Sequence, residues 1–342
     1  MRIAIRADGS SQLGMGHLIR CGAIAREFMK RGYQVRFYSR KEAGEWLREK
    51  GFDHEVLTAE TVPAETGEFI RGLTAWGAMV ALIDSYETTY ECYQRILERV
   101  PTIVIDDYCR LPYSATCLVN TNLYGDRVGL DYIDCKMDNM LTGEYYTILR
   151  EEFLDYRPIT FKDEVGRILV TMGGADLRNY TPVVLRALRN LTGVEIVVVI
   201  GPAFQNRAEI EEEAKKCAGR CELVVNPESM AKVMSTCDMA ISAAGSTVYE
   251  LCYLGIPTIL IGQADNQDLL LDYFTQNGNM LCLGDYRQVG AEEIEKATQT
   301  LMKDDHLRWQ MYTELINLVD GRGVERVVEF IEETILAPEE ED

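Results

Sequence analysis

MRIAIRADGSSQLGMGHLIRCGAIAREFMKR, residues 1–31, decides the fold class. RIAIR alternates and favours β-branched side chains, which predicts a first strand. HLIRCGAIAREFMKR spaces Leu18, Cys21, Ile24, Ala25 and Phe28 as the buried stripe of a helix. Gly14 and Gly16 then lie in a strand-to-helix turn, where a chain without Cβ brings its backbone close to a ligand. His17, one of three histidines, stands at the mouth of that turn.

Working outward, YQVRFYS, DHEVL, MVALID, TIVID and CLVNT follow as short apolar runs, with helical spacing between most of them. RILVTM, EIVVVIG, ELVV, MAIS and TILIG repeat the pattern in the second half. Alternating strands and helices predict parallel sheets covered on both faces, because each parallel connection needs a crossover. A chain of 342 residues exceeds one ordinary core. The expected class is α/β, with two doubly wound Rossmann-like domains whose strand C-termini face one another across a cleft, the default binding site. The expected boundaries are an N-terminal domain over 1–157, a second domain over 164–320, and a C-terminal helix with an acidic tail over 321–342. YRPITFKDEVGR, residues 156–167, has the proline and charges of a linker. Residues 120–150 are less regular, and the terminal PEEED reads as a frayed tail.

Composition excludes several function classes. The formal charge is −20, from 35 basic and 55 acidic residues, so nucleic acid and anionic membranes would be repelled. The N-terminus lacks a long apolar core and a cleavage site, and no stretch reaches the apolar length of a membrane span, so a cytoplasmic protein is expected. Ten cysteines lie mostly in apolar patterns, with no C-x-x-C pair and no zinc-type spacing, which predicts reduced thiols and no metal site. His54 and His306 have no ligand set beside them in sequence.

Three glycine turns follow strands: GSSQLGMG, GGAD at Gly173 and Gly174, and AAGST at Gly245, Ser246 and Thr247. The free N–H groups and dipole of a helix N-terminus favour anions, so each turn is a candidate phosphate loop, although glycine also serves such turns for sterics alone. The first turn lacks the third glycine of the dinucleotide fingerprint, since Ile19 holds that place. SRK, where an acidic ribose contact would stand, also argues against a nicotinamide cofactor. No cofactor is expected. Glu250 lies about one turn beyond Thr247. Its carboxylate suits either the two hydroxyls of a ribose or a helix cap. Asn266 and Gln267 stand at the next strand-to-helix turn. Asp84, Ser85 and Tyr86 end a buried strand, a position that serves function or simply begins a helix. Asp106 and Asp107 end the next strand and are the weaker candidates, because adjacent carboxylates diverge.

Together RADGSSQLGMGHLIRC, LIDSY at 82–86, TMGGAD at 171–176 and SAAGSTVYELCYLGIP at 242–257 resemble the UDP-sugar hydrolases of pseudaminic acid biosynthesis. That family removes UDP from UDP-2,4-diacetamido-2,4,6-trideoxy-β-L-altropyranose, and related chains are labelled spore coat polysaccharide or flagellin-modification proteins. The resemblance runs from residue 1 to about 320, leaving residues 123–150 unmatched. It implies a glycosyltransferase-B architecture like that of the lipid II GlcNAc transferase, with UDP held by the second domain and the sugar reaching toward the first. It also implies His17 as general base, Tyr86 near the sugar, Asn266 as the asparagine of the A-D-N-Q turn and Glu250 as the ribose ligand.

An imidazole is a base near neutral pH, so His17 would direct water to the anomeric carbon with inversion while UDP departs into helix N-termini. No D-x-D pair is present to carry a divalent ion. His17 also admits a plainer reading, as a helix cap or packing residue. Three functions follow: a nucleotide-sugar hydrolase, a UDP-sugar-dependent glycosyltransferase with a separate acceptor, and a nucleotide-sugar binding protein without turnover.

Overall fold

The alternating residues of RIAIRA form β1 (Arg2–Ala7), with Ile3, Ile5 and Ala7 buried on one face. The computed structural model describes residues 1–10, 14–109, 113–128 and 135–337. Part of the GSSQLGMG turn, residues 129–134 and the PEEED tail therefore lie outside the described residues.

The chain divides into two units. In the first, β2 (Gln34–Ser39), β3 (Asp53–Val56), β4 (Val80–Asp84), β5 (Thr102–Ile105), β6 (Ser114–Asn120) and β7 (Lys136–Thr142) join β1 in the order β3-β2-β1-β4-β5-β6-β7. All neighbours run parallel. The second holds β8 (Arg167–Thr171), β9 (Glu195–Ile200), β10 (Arg220–Val225), β11 (Met239–Ala243), β12 (Thr258–Gly262) and β13 (Leu281–Asp285), ordered β10-β9-β8-β11-β12-β13 and again wholly parallel. Strand order reverses between β1 and β4 in one sheet and between β8 and β11 in the other. Loops leaving the strand C-termini at such reversals form the ligand edge of open α/β sheets.

Two strands escape the sequence pattern. β7 is an edge strand, KMDNMLT, whose residues alternate between exposed and half-buried for most of its length, so it carries no apolar run. β13 is half-buried throughout, bends at Gly284 with φ 105°, and pairs with β12 across a register shift. The helix Gly16–Lys30 buries the expected stripe of Leu18, Cys21, Ile24, Ala25 and Phe28.

The boundary between units falls at 150/151, earlier than the expected linker. YRPITFKDEVGR is no free linker. Ile159 donates its N–H to Leu254 O at 2.8 Å, and Tyr253 donates its hydroxyl to Tyr156 O at 3.0 Å. Asp238 receives Lys162 at 2.7 Å and the backbone of Gly166 and Arg167 at 2.9 and 2.8 Å. Local polarity predicted solvation, but tertiary hydrogen bonds claim these groups. Among the described residues no helix is long and apolar enough to cross a membrane.

The end of the chain returns to the first unit. The helix Gly323–Ile331 places Val327, Val328 and Ile331 in the same core as Ile3, Ile5, Leu18 and Phe28, each burial worth about 1.5–3 kcal/mol. Arg31 bridges the two helices, reaching Glu27 at 2.8 Å and Glu332 at 2.5 Å. Gly323 makes this return possible, because a Cβ there would stand 2.2 Å from Thr147 O. Gly323→Ala should therefore lower stability by about 1–3 kcal/mol through overpacking. Chemical denaturation checks it, and an unchanged midpoint would show that the helix start tolerates displacement.

Candidate active site

β1 ends at Ala7 and the next helix starts at Gly16, so a loop of eight residues separates them. Backbone bonds from Gly14 N to Ser10 O (2.8 Å) and from Ser10 N to Gly14 O (3.3 Å) pinch the loop. Gly14 has φ 81°, a region costly for residues with a Cβ. Among the described residues, a Cβ at Gly14 or Gly16 would meet nothing within 4 Å. No side chain caps this helix. The His17 imidazole instead crosses to the end of β4, where Nδ1 lies 2.6 Å from Asp84 Oδ1. An ionised carboxylate there assigns the neutral proton to Nδ1 and leaves the Nε2 lone pair as the basic site. The geometry thus opposes the cap reading.

Asp84 is fully buried and shared. Arg20, three residues beyond His17, donates Nε to Asp84 Oδ2 at 2.6 Å and Nη2 to Oδ1 at 2.7 Å. The same guanidinium reaches Asp107 through Nη1 to Oδ1 at 2.8 Å and Nη2 to Oδ2 at 3.1 Å. Asp107 also accepts Asn122 Nδ2 at 2.6 Å and the Tyr86 hydroxyl. Tyr86 stands edge-on to His17, with ring centroids 4.5 Å apart at 78°. Asp106 points elsewhere, accepting the backbone N–H groups of Tyr108 and Cys109 and the Tyr113 hydroxyl.

The electrostatics follow from burial. Burial opposes ionisation of Asp84, but the Arg20 charge and then His17 outweigh it and hold the carboxyl well below the usual carboxylate range. Asp107 is lowered against the same burial, chiefly by Arg20. Burial, reinforced by Asp107, raises the Tyr86 phenol, which therefore stays protonated as a donor. Burial and then Asp84 push the Cys21 thiol well up, so it is no nucleophile.

In the second unit the candidate residues gather at adjacent strand ends. Gly173 and Gly174 follow β8, Gly245 and Ser246 follow β11, and Asn266 and Gln267 lie in the single turn Asp265–Gln267 after β12. The helix Thr247–Leu254 begins directly beyond Ser246 with no side-chain cap, and Glu250 is buried in its first turn. Gln267 accepts Gln263 N at 2.8 Å, and its Nε2 lies 3.7 Å from where a Gly245 Cβ would be. The GGAD turn does not lead directly into a helix. The helix after it starts only at Thr181, and Asp176 already accepts the N–H groups of Tyr180 (2.8 Å) and Thr181 (2.9 Å). A carboxylate of the chain thus occupies that anion-favouring end. Gly174 O accepts Ala203 N at 3.3 Å and passes close to Gly201, where an added Cβ would lie 2.3 Å from it.

Arg20, Asp107 and Asn122 were missed or ranked low in the sequence reading. Arg20 carried one usable signal, its i+3 spacing from His17 on one helix face. Gly9 was missed as well; a Cβ there would sit 2.6 Å from Leu18 Cδ1. Among the described residues no cluster of three or more His, Cys, Asp or Glu side chains is arranged to hold a metal ion.

The depressed Asp84 carboxyl has a stability consequence. A carboxylate lowered on folding contributes stability above its unfolded value of about 3.9 and loses it as pH falls through the folded value. Stability of the first unit should therefore decline below about pH 4, and Asp84→Asn should flatten that decline. Denaturant titrations at several pH values check this, and an acid slope unchanged in Asp84→Asn would reject it.

Residues 167–319 match the Glycosyltransferase family 28 C-terminal domain. The spore coat polysaccharide biosynthesis protein SpsG of Bacillus subtilis is 24% identical over 340 residues, covering 97% of this chain and 98% of that protein. The UDP-2,4-diacetamido-2,4,6-trideoxy-beta-L-altropyranose hydrolase of Campylobacter jejuni is 24% identical over 283 residues, covering 81% and 97%. The crystal structure of Acinetobacter baumannii MurG superposes with a TM-score of 0.72 at 14% identity, covering 98% of this chain and all of that one. The chain therefore has the glycosyltransferase-B fold of two parallel-sheet α/β domains, and its second unit is similar to the C-terminal domain of glycosyltransferase family 28.

Proposed function

We propose that this chain is a nucleotide-sugar hydrolase that releases UDP from a UDP-linked diacetamido-trideoxy-hexose. The observation that supports the reading is the His17–Asp84 pair at 2.6 Å, since a buried ionised carboxylate there favours the proton on Nδ1 and leaves Nε2 to act as base. The similarity to the Campylobacter jejuni hydrolase over 81% of the chain supports the substrate class.

In this reaction Nε2 of His17 takes a proton from water as the water oxygen bonds to the anomeric carbon. The bond from that carbon to the UDP oxygen breaks, its electron pair leaves with UDP, and the configuration inverts. Asp84 stabilises the resulting imidazolium. Nucleotide recognition belongs to the second unit: backbone N–H groups near Gly245, Ser246 and Thr247 for the diphosphate, Glu250 for the ribose, and Asn266 with Gln267 alongside. Gly173 and Gly174 act as a close backbone wall rather than as a helix-end anion site.

His17→Ala should lose about 10²- to 10⁴-fold in turnover with little change in UDP affinity. Near wild-type UDP release by the folded variant would reject His17 as the base. Glu250→Ala should do the opposite, weakening UDP binding while the protein stays folded, and calorimetry showing unchanged affinity would remove the ribose role.

A second reading is a glycosyltransferase, favoured by the family 28 match and the MurG likeness. Incubation with a panel of UDP-sugars, followed by NMR, separates the two. Free inverted sugar without an acceptor supports hydrolysis. A strict need for an acceptor overturns it in favour of transfer, and binding without UDP release overturns both.

A further inference from the structure

We infer that Asp107 is the positioning residue of this site, holding the His17 imidazole from two sides at once through Arg20 and Tyr86. The inference rests on the reading of His17 as base. On one side Asp107 takes two bonds from Arg20 (2.8 and 3.1 Å), and Arg20 gives two more to Asp84 (2.6 and 2.7 Å). Asp84 in turn holds His17 Nδ1. On the other side Asp107 accepts the Tyr86 hydroxyl, and the Tyr86 ring packs edge-on against the imidazole. Asn122 Nδ2, 2.6 Å from Asp107 Oδ1 and 2.9 Å from Asn120 Oδ1, fixes the carboxylate to the end of β6.

The arrangement solves a competition. His17 Nδ1 and Arg20 Nη2 both use Asp84 Oδ1, at 2.6 and 2.7 Å. With one carboxylate, the Arg20 cation would draw Asp84 toward itself and repel a protonated imidazole. Asp107 supplies the second carboxylate, so Arg20 spans both and the cluster of Arg20, Asp84 and Asp107 carries one net negative charge. The groups around the imidazole are Asp84 from β4, Arg20 from its own helix, Tyr86 after β4 and Asp107 after β5, with Cys21 on Asp84 (3.5 Å) and Tyr108 against Tyr86 (5.9 Å) behind them. Removing Asp107 should lower support for the imidazolium and loosen the ring without touching the nucleotide.

Asp107→Asn tests this, since it keeps the shape and removes the charge. UDP release should fall by about 10- to 100-fold, the range that loss of an outer partner costs at metal-bound histidines, while UDP affinity stays unchanged. The acid limb of the pH–rate profile should move to lower pH. A folded variant with wild-type kcat and profile would overturn the proposal, leaving Asp107 a stabilising residue only. If Asp107→Asn does not fold, Tyr86→Phe removes one arm and leaves the ion cluster; it should lower kcat more than it raises KM, and no loss would overturn the Tyr86 arm. A readout independent of turnover is ¹⁵N NMR of the histidines, with His17 assigned by its absence in His17→Asn. Asp107→Asn, or Tyr86→Phe in its place, should disturb the single Nδ1–H tautomer, and an undisturbed ring would overturn the proposal whatever the activity. Failure of the wild-type protein to release UDP from any UDP-sugar, with the tautomer disturbed in the variant, would instead overturn the hydrolase reading alone.

Discussion

A carboxylate with no exposed side-chain surface cannot remain ionised at the end of a β-strand unless cations reach it, and Asp84 makes that demand. Ala7 and Asp84 are register partners where β1 and β4 lie side by side. The helix that leaves β1 is therefore the element poised above Asp84, and its first turns provide His17 and Arg20, one turn apart. The loop between has to let that helix start late and close. Gly9 lets Leu18 approach, and Gly14 adopts a left-handed turn. Deleting Arg20 would strand a buried charge at a cost of about 3–5 kcal/mol, so the same bonds that shape the site also hold the sheet edge together.

The two sheets share one strand order but load their ligand edges differently. The edge of the first carries charged side chains that satisfy one another: Asp84, Arg20, Asp107 and, further along, Arg6 with Glu65 and Arg40 with Glu65 at 2.8 Å. The edge of the second carries glycines, hydroxyls and amides, with an uncapped helix start at Ser246. In a protein of net charge −20, long-range attraction of an anionic ligand is weak, so short-range donors from backbone N–H groups and hydroxyls are the suitable means of holding one. In the proposed reaction the first edge would move a proton and the second would hold the departing anion.

How much of this was legible in the sequence depends on whether the signal was local. β1, β2, β4, β5, β8, β9, β11 and β12 are apolar runs because both faces of a parallel sheet are covered. β7 and β13 are half-exposed edges without that run, and they escaped. YRPITFKDEVGR looked like a linker because its polar groups are satisfied by Asp238 and by backbone far along the chain, which no local composition reveals. His17 stood out as a rare residue after two glycines. Arg20 is an ordinary arginine on a helix and Asp107 an ordinary aspartate after a strand; each acquires a role only when β1, β4, β5 and β6 are set side by side. At the GGAD turn the glycines suggested a helix-end anion site, and the N–H groups of Tyr180 and Thr181 are taken by Asp176, two residues on, which local glycine content does not reveal.

Under the proposed function, the chemistry at His17 accounts for the chain's similarity to both a hydrolase and a transferase-fold structure. A general base removes a proton from whatever O–H group is held against Nε2, and neither Asp84 nor Arg20 touches that group. Water and a sugar hydroxyl make the same demand on the imidazole, and departure of a nucleoside diphosphate makes the same demand on the helix start at Ser246. Selection between the two nucleophiles therefore falls to the residues that border the open side of the ring. Tyr86, 37% exposed with its hydroxyl tied down to Asp107, turns its ring toward the imidazole. In the proposed reaction, the hydrogen bond that anchors Tyr86 would therefore hold one wall beside the nucleophile.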